Sequence, residues 1–259
     1  LYCRVDGLRI YYERYGTGES NVLLVHGAAQ DTLSWRFNAE PIAEQGHTVW
    51  VVDLPGHGKS ALAENGPKTD LGEYADFLLS FLKTLSINEP FVVGHSMSGG
   101  TGLLMALKKK DEGIRGVVLV DGAAFTSGTY GDDVFELVSM NPAGWFEVNF
   151  RTICSKNTDP ARIDEIAFDV QRCAPMVAYN DILAYGKFDI FDRIDQIKTP
   201  CFFIHGEDDW SITPDMARKT QARLMCPTEF HLLPGVGHFP HTEAPEKFNP
   251  VLIDILSRL

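Results

Sequence analysis

Apolar residues along this chain fall into short unbroken runs, each leading into a loop rich in glycine or proline. Val22–Leu23–Leu24–Val25 precedes His26–Gly27, Val49–Trp50–Val51–Val52 precedes Asp53–Leu54–Pro55–Gly56, and Phe91–Val92–Val93 precedes Gly94. Val117–Val118–Leu119–Val120 ends at Asp121, and Cys201–Phe202–Phe203–Ile204 ends at His205–Gly206. Runs that are apolar throughout predict central parallel strands buried on both faces. Ahead of them Leu8, Ile10 and Tyr12 alternate with polar Arg9 and Glu13, a half-buried strand that stops at the turn cluster Gly16–Thr17–Gly18. From Leu71 to Leu85 the apolar positions Tyr74, Phe77, Leu78, Phe81, Leu82 and Leu85 recur at helical spacing. A closing amphipathic helix is expected over Glu243 to Leu259, packed on the sheet. Strands alternating with helices predict an α/β fold with a doubly wound, mostly parallel sheet.

The alternation breaks between Gly122 and Thr199, where 78 residues contain no run of the buried-strand type. Their patterns are helical and aromatic, and their number far exceeds a normal crossover. The expected organisation is a core of residues 1–121 and 200–259, with a helical cap, or lid, inserted at 122–199.

Composition narrows the classes of function. The chain has 259 residues, 44% hydrophobic and 22% charged, with 23 Lys+Arg against 35 Asp+Glu and a net charge of −12. Such a length fits one large domain carrying an insertion, which buries roughly 70–75% of its unfolded surface and needs no disulfide or metal staple. The acidic balance argues against nucleic acid, whose phosphates are held by clustered Lys and Arg. The one basic run, Lys108–Lys109–Lys110, is expected to close a helix, where it satisfies the negative end of the dipole. Five widely spaced cysteines with no Cys-x-x-Cys pair fit a reducing compartment, the cytoplasm, rather than a disulfide framework or zinc knuckle. No stretch approaches 18 apolar residues, so no membrane span is expected. No signal peptide is visible; the chain begins Leu1–Tyr2–Cys3 without a Met, which leaves a removed leader open.

The chemistry is concentrated in Gly94–His95–Ser96–Met97–Ser98–Gly99–Gly100. A strand, a sharp turn holding a serine among small residues, and a helix beginning at Met97 form a nucleophile elbow. Its last position, usually glycine, holds Ser98. In a second register Ser98 would be the nucleophile, flanked by Ser96 and Gly100, but the distance from the strand favours Ser96. Serine needs a base. Leu232–Leu233–Pro234–Gly235–Val236–Gly237–His238–Phe239 delivers a histidine from a short strand on a glycine-rich loop. Gly206–Glu207–Asp208–Asp209 supplies an acid to hold the imidazole tautomer.

With these segments, His26–Gly27–Ala28–Ala29 and Asp53–Leu54–Pro55–Gly56–His57–Gly58–Lys59–Ser60, the chain resembles the α/β-hydrolase superfamily over nearly its whole length. The resemblance implies Ser96, His238 and Asp209 as catalytic triad, with Asp208 and Asp121 as competing acids. It implies an oxyanion hole from the backbone N–H groups of Ala28 and Met97, and residues 122–199 as cap. The pocket is expected to involve His95, Trp35, Phe239 and Trp145, although cap aromatics such as Trp145, Phe146 and Phe150 also have an internal packing role. His26 and His57 are expected to bond backbone. His238 and His241 lack the spacing of a metal pair, so neither metal nor cofactor is expected.

Serine at position 96 separates the chain from relatives with an aspartate elbow, the haloalkane dehalogenases and epoxide hydrolases. The expected activity is hydrolysis of carboxylic esters of small to medium apolar substrates through an acyl-enzyme. Carbon–carbon bond hydrolysis of the meta-cleavage-product type is second. The Ser96–Met97–Ser98–Gly99–Gly100–Thr101 string is similar to that group's elbow, but His95 and Phe239 stand where the group usually has Asn and Trp. Lactonase activity occurs on the same scaffold. A ligand receptor is the alternative of another class, since some receptors of this fold carry Gly-His-Ser-x-Ser at the elbow.

Overall fold

In the computed structural model, which describes residues 1–109, 113–126 and 128–258, the apolar runs lie side by side in one sheet. Its strands are β1 (Tyr2–Val5), β2 (Leu8–Tyr15), β3 (Ser20–Val25), β4 (His47–Val52), β5 (Phe91–His95), β6 (Gly116–Val120), β7 (Cys201–Gly206) and β8 (Thr228–Leu233). Their order is β1-β2-β4-β3-β5-β6-β7-β8. From β4 to β8 every pairing is parallel, and β2 joins β4 and β1 antiparallel. The half-buried strand expected from Leu8 is β2, ending just before Gly16, and a hairpin turned at Asp6 and Gly7, both with positive φ, pairs it with β1.

The register explains why the central strands lack polar alternation. Leu23, Val92, Val117 and Cys201 align across the sheet and face one core, while Leu24, Val93, Val118 and Phe202 align and face the other. Each fully buried aliphatic side chain contributes about 1.5–3 kcal/mol of transfer free energy. The helices are α1 (Ala39–Ala43), α2 (Leu71–Thr84), α3 (Met97–Lys109), α4 (Asp132–Met140), α5 (Pro142–Ile153), α6 (Pro160–Asp169), α7 (Pro175–Gly186), α8 (Pro214–Arg223), α9 (Pro240–Glu243) and α10 (Pro245–Ser257). Helices α2 and α3 cover the first face, and α1 and α10 the second.

Helix α2 starts where Asp70 accepts a hydrogen bond from Gly72 N–H, and it buries Tyr74, Phe77, Leu78, Phe81 and Leu82 as its spacing predicts. The expected closing helix is α10, which begins at Pro245 because Ala244 leaves helical geometry after the short α9; Leu259 lies outside the described residues. Lys108 and Lys109 occupy the last turn of α3, and Lys108 also bonds Asp76. Lys110 lies outside the described residues.

Between β6 and β7 the chain is helical, α4 to α7, followed by a 3₁₀ turn at Phe191–Gln196. Ingoing and outgoing strands of this segment are pinched by an antiparallel bridge of Phe125 with Asp189. Ile190 N–H donates to the Ala124 carbonyl at 2.9 Å beside it. Phe146, Phe150, Ile166, Val177 and Ile182 from the helices pack together with Ala29 and Phe239 of the loops at the sheet's carboxyl edge. No helix among the described residues is long and apolar enough to cross a membrane.

Candidate active site

Strand β5 ends in a turn that only small residues permit. A Cβ on Gly94 would stand 2.1 Å from the Ser98 carbonyl oxygen, because strand and helix approach that closely. Ser96 itself takes a left-handed φ of 53°, a strained conformation for a residue with a side chain. The turn is held by Ser96 N–H donating to the Val120 carbonyl at 2.8 Å and Gly99 N–H to the Ser96 carbonyl at 2.9 Å. Ser98 does not face the nucleophile position; its hydroxyl donates to the His26 carbonyl at 2.5 Å, tying α3 to the end of β3. Gly94→Ala is expected to destabilise the protein by at least about 2 kcal/mol in denaturant titration, since the methyl meets backbone rather than a movable side chain.

His238 reaches Ser96 from the loop after β8. Its Nε2 lies 3.0 Å from Ser96 Oγ and its Nδ1 2.7 Å from Asp209 Oδ2. Nδ1–H donates to the carboxylate, so Nε2 is left to accept the serine hydroxyl proton. Asp209 is fixed in turn, its Oδ1 accepting from Ser211 and Ile212 N–H at 2.9 and 3.1 Å. Burial pushes the Asp209 carboxyl up, but the charge and hydrogen bond of His238 outweigh it and hold the group below the usual carboxylate range. Asp208 is directed elsewhere and accepts from Ser155 Oγ at 2.5 Å. The loop is anchored by Glu243, whose carboxylate accepts from Gly237, Phe239 and Ser155 N–H at 2.9–3.0 Å.

The turn after β3 supplies the other half of the site. Neither Ala28 N–H nor Met97 N–H donates to any described residue. Their neighbours are committed, with Gly27 N–H donating to Gln30 Oε1 at 3.2 Å and Ala29 N–H to Asp181 Oδ2 at 2.9 Å. His26 Nε2 accepts from Leu54 N–H, and burial, aided by the nearby His57 charge, pushes its pKa down to about 3. His57 is bonded not only to backbone but to Asp181 on α7, 2.7 Å away. Tyr74 O–H donates to the same carboxylate at 2.6 Å.

Residues 22–251 match the alpha/beta hydrolase family. The chain belongs to that family. Over 121 residues, 47% of this chain, it is 39% identical to the dihydrolipoyllysine-residue acetyltransferase component of the acetoin cleaving system of Cupriavidus necator, spanning only 31% of that protein. Over 97% of its length it is 27% identical to the 2-hydroxy-6-oxononadienedioate/2-hydroxy-6-oxononatrienedioate hydrolase of Paraburkholderia phymatum, covering 92% of that protein. In fold it is similar to an esterase from Exiguobacterium antarcticum, with a TM-score of 0.91, 18% identity and coverage of 99% and 98% of the two chains.

Beside Ser96 this hydrolase has a cavity of about 20 Å³, room for little more than a water molecule. Its lining includes Ala28, Gln30, His95, Tyr130, Tyr185 and Phe239, and no Lys, Arg, Asp or Glu among the described residues. His95 braces the site as well as lining it: Nδ1 lies 2.9 Å from Gln30 Oε1, and Nε2 lies 2.8 Å from the His238 carbonyl oxygen. Two residues expected at the pocket are not there. Trp35 is carried by the 3₁₀ turn Thr32–Trp35 to the far core, where it is fully buried against His241 and Phe248. Trp145 packs edge-on to Phe146, outside the lining.

Sequence reasoning missed Gln30, Glu243, Asp181 and Tyr185, all of which hold or line the site. Only Glu243 carried a local signal, an acid in the first turn of a helix opened by Pro240. As metal donors, Asp121, Asp209 and His238 offer atoms within 4.8 Å of one another. Asp209 and His238 are already hydrogen-bonded to each other through those groups, which fits a proton relay better than an ion.

Proposed function

We propose that this protein is a serine-dependent hydrolase of uncharged carboxylic esters, small to medium in size and mainly apolar. The observation that carries the reading is the Ser96–His238–Asp209 relay opening onto a cavity that no Lys, Arg, Asp or Glu lines among the described residues. Ser96 Oγ attacks the ester carbonyl while its proton passes to His238 Nε2. The C=O electron pair moves onto oxygen, and the Ala28 and Met97 N–H groups receive that negative charge, each worth on the order of 3 kcal/mol in the transition state. When the pair returns, the C–O bond to the alcohol breaks and His238 gives its proton to the leaving oxygen. Water, deprotonated by His238, then repeats the attack on the acyl-enzyme and restores Ser96. Asp209 stabilises the imidazolium in both halves.

In this reading residues 122–199 act as a cap over the core formed by 1–121 and 200–259. The small volume beside Ser96 favours short acyl groups. With p-nitrophenyl esters of increasing chain length, kcat/KM is expected to peak at short acyl chains and to fall as the chain lengthens. Absence of multiple turnovers on every ester would overturn the proposal.

Carbon–carbon bond hydrolysis is the second reading, favoured by the likeness over 97% of the chain to a 2-hydroxy-6-oxononadienedioate hydrolase. That named substrate is a dicarboxylate, and no Lys or Arg among the described residues lines the cavity to receive it. Loss of a dienoate ketone's ultraviolet-visible absorption at a rate exceeding ester turnover would select this reading instead.

A further inference from the structure

The sheet brings a second carboxyl group to the relay. Asp121 follows β6 in a left-handed conformation, φ 46°, and is fully buried. Its N–H donates to the Ile204 carbonyl at 3.1 Å, and its Oδ1 accepts from Gly206 N–H at 3.0 Å. No N–H or O–H among the described residues donates to Oδ2, and the hydrogen-bonding side chain that the Asp121 carboxyl meets is the Asp209 carboxyl. Asp121, Asp209 and His238 each present an atom within 4.8 Å of the other two. Of the other titratable groups that face the pair, Glu243, Tyr130 and Tyr185 bring no positive charge, and His205 lies 3.6 Å from Asp121 Oδ1 and 3.7 Å from Asp209 Oδ2. Its Nε2–H is already given to the Ile212 carbonyl at 2.7 Å, and burial pushes its pKa down, so it brings no positive charge. Among the described residues no Lys or Arg pairs with either carboxyl group.

Two carboxylates in one buried, cation-free site cannot both stay ionised. Asp209 has two backbone donors and His238 to hold its charge; Asp121 has one backbone donor. We infer that Asp121 is kept as a neutral carboxylic acid, protonated at Oδ2, which steadies Asp209 for His238 and stands ready to replace it as the acid of the relay. Burial and the Asp209 charge both drive the Asp121 carboxyl well above the carboxylate range, in keeping with this assignment. Asp121 is thus a positioning residue, acting on the imidazole through Asp209.

This inference rests on the relay proposed above, and the first test needs no substrate. Infrared difference spectroscopy of wild type against Asp121→Asn is expected to show a protonated-carboxyl band at neutral pH that the variant lacks. Kinetic tests follow on any ester turned over. Asp121→Leu is expected to lower kcat/KM roughly tenfold, because Asp209 loses the donor that steadies it. Asp121→Asn, which keeps a donor in that place, is expected to recover most of the loss. Asp209→Asn is expected to lose less than the roughly 10⁴-fold of a triad without its acid, and to regain activity as pH rises and Asp121 ionises. Asp121→Asn/Asp209→Asn is expected to suffer the full loss. Absence of the infrared band, or equal activity of Asp209→Asn and the double variant at every pH, would overturn the inference. Failure of ester turnover alone would strike the proposed reaction and leave the band untouched.

Discussion

Ser96→Ala is expected to lower kcat/KM for a p-nitrophenyl ester by roughly 10⁴-fold or more, the scale on which a triad fails when its nucleophile is removed. The change deletes one oxygen, the atom 3.0 Å from His238 Nε2, and leaves the remaining contacts of the turn to backbone groups. Alanine meets the same left-handed backbone cost at φ 53° as serine, so the thermal midpoint should stay within a few degrees of wild type. A fluorophosphonate probe should label the wild-type protein at Ser96 and leave the variant unlabelled. Labelling of Ser98 in the variant would revive the other register, but that hydroxyl is held by the His26 carbonyl. Residual hydrolysis above the water rate should persist, because the Ala28 and Met97 donors are untouched.

What could be read from the sequence was what local pattern encodes. Unbroken apolar runs gave the central strands because both faces of those strands are buried, and small residues around Ser96 gave the elbow because the Gly94 backbone touches that of Ser98. His238 and Asp209 stand at the ends of such runs, on loops whose order is set by the sheet. Trp35 was misplaced because nearness along the chain to Ala28 says nothing about the direction of the intervening turn, which takes the ring to the opposite face. Asp181 and Tyr185 were invisible for a different reason. The partners of Asp181 are distant in sequence, 107 residues away at Tyr74 and 152 at Ala29, and Tyr185 lines the cavity beside Ser96, 89 positions earlier in the chain. No periodicity within α7 records a contact that only the packing of that helix against the core creates.

Asp181→Ala is expected to destabilise the protein by about 3–5 kcal/mol, the range for breaking one side of a buried pair. Asp181 and His57 are both fully buried, and the carboxylate accepts from His57 Nε2, Tyr74 O–H and Ala29 N–H. Removing it leaves three donors without an acceptor in a place water does not reach. Tyr74→Phe, which removes only one of the three, should cost about 1–2 kcal/mol, so urea titration of the two variants tests the assignment. A pH dependence should accompany it. Burial, the largest influence on His57, lowers its pKa, but the Asp181 charge and hydrogen bond, with the Pro55 carbonyl, raise it above 6.5. A folded pKa raised in this way gives stability that is fully present below the unfolded value and is lost as pH rises through the folded one. Wild type should therefore lose stability with rising alkalinity in a way that Asp181→Ala does not. Activity should fall as well, because Ala29 N–H is what Asp181 holds, and the free Ala28 N–H beside it is aimed by the same turn. A loss of kcat with little change in KM would mark that aim as a transition-state effect. Stability of the variant within about 1 kcal/mol of wild type would show that α7 does not lock this turn.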